Sequence, residues 1–313
     1  MAQQQQPVIV QWVVDTRPLW NGAVKTKDLE QIAARALALL TPSERIAVLR
    51  YYHVRDAKLS LASHLLKRLA ITRHCRVPWR DALPVRDTAH SKPVWRDPAG
   101  REPLRFNVSH QAGIVALFAV AGYQGPGPVD VGVDVVCAPE RRDRDLAMLA
   151  SDGWGRFVDI HSDVFAPQEV EYLKVGITAP SSFVPNRPGP AALPGEVADF
   201  RLRCFYALWC LREAYIKMTG EALMAPWLRD LEFRGFRAPV DEADVVAEHE
   251  IYLKGQRIED ANVCLRAMES GYMIGAAVRT PEKPDEGLGF RLGPYETIDM
   301  DDLLTEAEAA GGL

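Results

Sequence analysis

The sequence predicts an α+β protein built as two similar lobes, each a small antiparallel sheet packed with helices. Three observations carry this. Helical periodicity through residues 29–69 comes before two strand-like runs, and the helical run Cys204–Gly220 comes before four more. The strands are short and bounded by turn residues, and the order of elements suits α+β rather than a parallel sheet. At 313 residues and 48% hydrophobic, the chain can bury a core in each of two lobes. The lobes are placed at 1–128 and 129–280, followed by an acidic tail, 281–313. No internal repeat is strong enough to prove duplication.

In chain order, Val8 to Asp15 alternates as a strand, and Leu29, Ile32, Ala36 and Leu40 mark an amphipathic helix. Thr41-Pro-Ser-Glu44 reads as a capping box with proline at the first helical position. The next helix, Arg55 to Leu69, would bury Leu59, Ala62, Leu66 and Leu69 and turn its cations outward. Five prolines between 78 and 103 keep the connection irregular up to Phe106. Phe106 to Ser109 and Ile114 to Val120 are expected strands joined by a loop at 110–113. Val129 to Cys137 is a third. Pro167 starts a helix with Glu169 in its first turn, where the dipole favours an acid. Residues 175–198 hold five prolines and three glycines and read as a flexible insertion. The helix that follows is expected to be capped by Asp199. Leu231–Phe233, Glu250–Leu253, Val263–Ala267 and Tyr272–Arg279 read as antiparallel strands, and the tail as partly disordered.

Composition excludes several classes. A net charge of −5 argues against a general nucleic-acid binder. The longest apolar stretch, Gly113 to Gly122, is well short of the roughly 20 residues a membrane helix needs, and no signal peptide opens the chain. Five cysteines without a C-x-x-C pair read as reduced thiols in a cytoplasmic protein. Charge is uneven, however. Residues 44–86 hold ten Lys/Arg against three Asp/Glu, a patch suited to ordinary helix surface, a polyanionic small molecule or an acidic partner.

Chemistry concentrates in three segments. On the helix ending at Gly220, Trp209, Glu213 and Lys217 share one stripe at i, i+4 and i+8. Alone, that stripe reads as a surface ion pair beside a packed ring. Asp134 lies inside the apolar run Val131–Val136, where an unpaired carboxylate costs several kcal/mol and so calls for a cation or donors. Phe106-Asn-Val-Ser-His110 ends a strand in polar groups able to bind phosphate oxygens, and no G-x-S-x-G elbow supports a serine hydrolase.

Taken together, these segments resemble a family. Phe106-Asn-Val-Ser-His110, Gly132-Val-Asp-Val135 and Trp209-Cys-Leu-Arg-Glu-Ala-Tyr-Ile-Lys217 stand in the order and spacing of the Sfp-type phosphopantetheinyl transferases. Arg55-Asp-Ala-Lys58 and Ser91-Lys-Pro93 also match the pattern. The single-chain eukaryotic members, including broad-range enzymes of filamentous fungi, are the most similar. The resemblance implies a pseudo-twofold, monomeric enzyme binding coenzyme A and Mg²⁺ between its lobes. It would transfer phosphopantetheine to a serine of acyl or peptidyl carrier protein domains and release adenosine bisphosphate. By motif, Asp134 and Glu213 would hold Mg²⁺ and Lys217 would neutralise phosphate charge. Ser109, His110, Lys92 and Arg45 would bind the nucleotide half, and Glu169 is a candidate base beside a metal-bound hydroxide. Two departures stand out: Arg212 replaces a frequent lysine, and Val136 replaces an acidic ligand of many bacterial members. The rival readings are a Mg²⁺-dependent phosphohydrolase and a non-catalytic coenzyme A module.

Overall fold

The computed structural model describes residues 6–88, 92–177, 194–221, 225–269 and 271–311. Strand β1 (Val8–Asp15) pairs antiparallel with β5 (Ile114–Ala121), and β5 with β4 (Leu104–Gln111). The β4–β5 link is shorter than the loop expected from sequence. Only Ala112 and Gly113 turn, both at positive φ (48° and 92°), as a two-residue hairpin of type I′ requires. Both faces of β5 are covered, which accounts for its unbroken apolar sequence.

Helices α1 (Leu29–Ile32), α2 (Ala34–Ala38), α3 (Pro42–Leu49) and α4 (Val54–Cys75) cover one face of this sheet. The single helix expected around Leu29–Leu40 breaks at Ala33, whose φ/ψ of −110°/25° is not helical. The capping box forms as expected: Glu44 takes the Thr41 N–H at 2.9 Å and donates its own N–H to Thr41 Oγ1 at 3.3 Å. In the proline-rich connection, β2 (Val85–Arg86) and β3 (Pro93–Val94) make a minimal pair.

In the second lobe β6 (Asp130–Cys137), β12 (Tyr272–Arg279), β11 (Ala261–Met268) and β8 (Val245–Val246) form an antiparallel sheet in that order. A smaller sheet holds β7 (Leu231–Arg234), β9 (Glu250–Leu253) and β10 (Gln256–Arg257). Helices α5 (Arg142–Ile160), α6 (Pro167–Glu171) and α7 (Pro194–Thr219) complete the lobe. Helix α7 starts earlier than expected, so Asp199 lies within it and pairs with Arg142 at 2.8 Å instead of capping. Of the presumed insertion, 178–193 lie outside the described residues and 194–198 are helical.

The tail departs most from expectation. After α8 (Pro284–Leu288) the chain returns to the first lobe, adds β13 (Glu296–Thr297) parallel to β1, and ends in α9 (Met300–Ala309). Met300, Leu303, Leu304 and Ala307 of α9 are buried in the first lobe's core. Its acids face outward and pair with cations: Glu308 with Arg35 at 2.8 Å, Glu306 with Arg73 at 2.6 Å.

Three cores follow from strand alternation. Val10, Trp12, Val115 and Leu117 face α1–α4 and α9. Val13, Ala116 and Phe118 meet Val131, Val133, Val135, Ile274 and Ala276 between the two sheets. Val136 and Met273 face α7 and its neighbours. The layers are therefore helices, sheet, sheet, helices. Each lobe is a four-stranded sheet crossed by one long helix, α4 or α7, and the α+β reading holds. Edge strands β4 and β6 lie side by side where the lobes meet, bridged by the Val133 N–H donating to Asn107 Oδ1 at 2.9 Å.

Candidate functional site

Helix α7 carries the site because two glycines let it lie unusually close to its sheet. A Cβ on Gly132 would fall 2.1 Å from Ala214 O and 2.4 Å from Met218 N. One on Gly275, which pairs with Asp134 across β6 and β12, would fall 2.8 Å from Cys210 O. The helix buries Ala207, Cys210, Leu211, Ala214 and Met218, and terminates at Gly220 in the left-handed region (φ 85°). That docking turns Glu213 and Lys217 toward Asp134.

Asp134, Ser109 and Lys217 form one bonded group. Asp134 Oδ1 accepts from Lys217 Nζ at 2.5 Å and from Ser109 Oγ at 3.0 Å. Lys217 also donates to Ser109 Oγ at 2.9 Å. The buried carboxylate thus has the cation and donor that its apolar strand demanded. Its Oδ2 has no hydrogen-bond partner among the described residues.

Glu213 differs. Burial pushes its pKa up to about 7, the Asp134 carboxylate adds to the shift, and Lys217 and Arg212 oppose it. Among the described residues it has no hydrogen bond or ion pair, so the surface Glu213–Lys217 pair is not formed. Two carboxylates held close in a partly desolvated site, one unsatisfied and one with a free oxygen, fit a hard divalent cation. Mg²⁺ takes one or two carboxylates and completes its shell with substrate oxygens and water. Among the described residues, no group of three or more His, Cys, Asp or Glu side chains is placed to hold a metal ion.

The remaining expected site residues separate. His110 follows Ser109 on β4 and so points to the opposite face. It retains exposed surface, yet its pKa is lowered, first by desolvation of the ring and then by the Lys217 and Lys67 cations. Lys67 on α4, which the motifs did not single out, is itself lowered to about 8 by burial. It belongs to the basic stretch 44–86, and that stretch was the available signal. Lys92 Nζ reaches across the lobes to Met218 O at 2.9 Å and Val131 O at 3.5 Å, and burial lowers its pKa to about 8. Ser91 lies outside the described residues. Arg45 donates to Leu40 O and Ala38 O, closing the end of α2, and has no bond to the Asp134 group.

Glu169, the candidate base, has no bond to the Asp134 group. Its side chain is fully buried, with Oε2 accepting from the Ala166 N–H and Arg212, and Oε1 from the Phe233 N–H. Arg212 also donates to the carbonyls of Val164, Leu228 and Leu231. This pair ties α6 and α7 to β7. Arg212 is therefore a structural cation, and its five-donor fork explains why arginine suits this position.

Val136 faces the same side of β6 as Asp134, as strand alternation predicts. It lines a cleft of about 520 Å³ together with Tyr206 and Trp209, and neither Asp134 nor Glu213 is among that cleft's lining residues.

Comparison with known proteins identifies the family. The family model for the N-terminal part of 4'-phosphopantetheinyl transferases matches residues 27–122, and that for the 4'-phosphopantetheinyl transferase superfamily matches 130–259. The chain is 50% identical to 4'-phosphopantetheinyl transferase 1 of Fusarium mangiferae over 98% of both chains. It is 33% identical to the 4'-phosphopantetheinyl transferase NpgA of Emericella nidulans, covering 94% of this chain and 92% of that one. A human L-aminoadipate-semialdehyde dehydrogenase-phosphopantetheinyl transferase is 24% identical over 79% of this chain and 69% of its own. Two family models covering both lobes and a relative matched along its whole length establish that this chain belongs to the 4'-phosphopantetheinyl transferase superfamily.

Proposed function

We propose that the chain performs its family's transfer, coenzyme A to a carrier-protein serine, with Asp134 and Glu213 holding Mg²⁺ in the cleft where the lobes meet. The observation that carries this is the unsatisfied Glu213 carboxylate, raised to about 7 by burial and Asp134. Bound there, Mg²⁺ would supply charge neutralisation for the pyrophosphate. Lys217, paired with Asp134 and with 28% of its side chain exposed, would neutralise charge on a phosphate bound beside it. Ser109 offers its hydroxyl beside it, His110 offers ring nitrogens, and Lys67 adds positive potential on the α4 side. Phosphoryl transfer depends mainly on positioning and charge, which this group provides.

Acceptors are inferred to be carrier domains of polyketide synthases and peptide synthetases, and of the dehydrogenase for which the human relative is named. The five free cysteines support a cytoplasmic setting, where thiols stay reduced. Intact-mass measurement of an apo carrier incubated with this protein, coenzyme A and Mg²⁺ tests the reading. A mass gain of one phosphopantetheine is expected. Free phosphopantetheine without carrier modification would point to a hydrolase, and no turnover of coenzyme A to a binding module.

A further inference from the structure

The cleft beside the carboxylates contains a histidine that no motif identified. His161 follows α5 and lines this cleft together with Val136 and Trp209. Val136 lies two residues from Asp134 on the same strand face. Trp209 lies one helical turn from Glu213. Trp209 also lines the small pocket that Glu213 faces, so the cleft neighbours the carboxylate pair without being lined by it.

Its ring is fixed on one side and free on the other. His161 Nδ1 lies 2.8 Å from Phe157 O. A carbonyl only accepts, so Nδ1 carries the proton of the neutral ring and Nε2 keeps a lone pair. Phe157 and Phe205 pack on the imidazole at 5.1 and 5.0 Å between centroids, and Trp209 meets it edge-on at 6.2 Å. Nε2 has no partner among the described residues and is not sealed from solvent. A tautomer set by a backbone carbonyl, in a ring clamped by aromatics, is the arrangement of a base held ready for an incoming donor.

The charged groups facing the cleft are arranged around it. Arg55 of α4 and Arg141 before α5 contribute cations. The two carboxylates are occupied: Glu140 by the Gln111 amide at 2.7 Å, Asp145 by the Tyr206 hydroxyl at 2.5 Å. Neither is oriented to take a proton from an acceptor hydroxyl, and Glu169 is sealed elsewhere.

We propose that this cleft receives the serine-bearing segment of the carrier and that His161 Nε2 accepts the serine proton. The serine Oγ–H bond breaks to Nε2 as Oγ bonds to the phosphorus attached to pantetheine. The bond from that phosphorus to the bridging oxygen breaks, and its electron pair leaves on the adenosine bisphosphate. His161 then returns its proton to solvent. This rests on the transferase reading and assigns the base within it.

The test is the pH dependence of kcat for transfer to an apo carrier, in wild type and His161→Asn. Asparagine keeps a donor for Phe157 O and removes Nε2. The proposal predicts a loss of about 100-fold or more in kcat, in the range of general-base effects, with the coenzyme A KM unchanged and the acid limb lost. A kcat within about threefold of wild type, or a loss with the acid limb retained, overturns it and returns the base to the carboxylate pair. Thermal melting checks the fold, and His161→Gln takes the same two readings should the first variant melt early. No transfer by wild type would sink the transferase reading and this proposal together. Normal transfer by wild type and variant sinks this proposal alone.

Discussion

Val136 shows how one position can be read correctly for direction and incompletely for environment. Alternation placed it on the Asp134 face of β6, and it is there, but it is also 3% exposed and packed in the second lobe's core. Val136→Ala should therefore lower stability by about 1–2 kcal/mol while leaving the Mg²⁺ concentration for half-maximal rate unchanged. Urea unfolding and a Mg²⁺ titration separate the two effects. A shifted Mg²⁺ requirement with unchanged stability would contradict this placement. The same strand shows what sequence could reveal. Asp134 demanded a cation, and Lys217 was visible from its spacing to Glu213. That Lys217 bonds Asp134 and leaves Glu213 unsatisfied was not, since it depends on how closely α7 approaches β6. For Arg45 and Lys92 the cation was legible, but not the backbone carbonyls to which each donates. Glu169 was read as a candidate base because its helix start was visible and the layer covering it was not.

At the scale of elements, local chemistry was the most legible. The Thr41–Glu44 capping box formed as read, but Glu44 has a second role that spacing concealed. It accepts from Arg68, which is fully buried, at 2.6 Å. Burial alone would raise the Glu44 pKa, but donation from His64, Arg68 and Thr41 outweighs it and holds the carboxyl well below the usual range. A folded pKa below the unfolded one stabilises above the unfolded value, near 4.5, and the stabilisation is lost as pH falls below it. Glu44→Gln should thus destabilise strongly at pH 7, leaving Arg68 buried and unpaired, by about 3–5 kcal/mol. The gap to wild type should narrow as pH falls from about 6 toward 3, measured by urea unfolding. A gap that stays constant with pH would contradict the ion-pair account. Gly132 makes the complementary point. It was visible only as part of a motif, and its reason is steric. Gly132→Ala places a methyl carbon against Ala214 O and should cost about 1–3 kcal/mol or more, together with most transfer activity. Retention of both would show that α7 can dock equally well at a greater distance.

For the whole molecule, the two lobes were legible from the order of elements, and the path of the chain between them was not. Acidic composition suggested a disordered tail, because Asp299, Asp301, Asp302, Glu306 and Glu308 dominate it. The apolar stripe Met300, Leu303, Leu304 and Ala307 runs at helical spacing between them, and it seats α9 in the first lobe. The segment also bonds the second lobe on its way: Asn262 donates to Phe290 O at 2.8 Å and Arg266 to Leu292 O at 2.9 Å. It therefore straps the lobes together. Leu304→Ala should cost about 2–5 kcal/mol, read by urea unfolding. Wild-type stability in that variant would mean that α9 is not part of the core.

The central claim is that Asp134 and Glu213, brought together by the close docking of α7, form the divalent-cation site on which transfer depends. A Mg²⁺ titration of carrier modification, followed by intact mass for wild type and Glu213→Gln with thermal melting alongside, tests it most directly. The account predicts saturable Mg²⁺ dependence in wild type and a near-complete loss of transfer in the variant at every Mg²⁺ concentration. It also predicts a melting temperature in the variant equal to or above that of wild type, because a partly buried carboxylate beside Asp134 has been neutralised. Near-normal transfer by the folded variant at the same Mg²⁺ concentrations would contradict it.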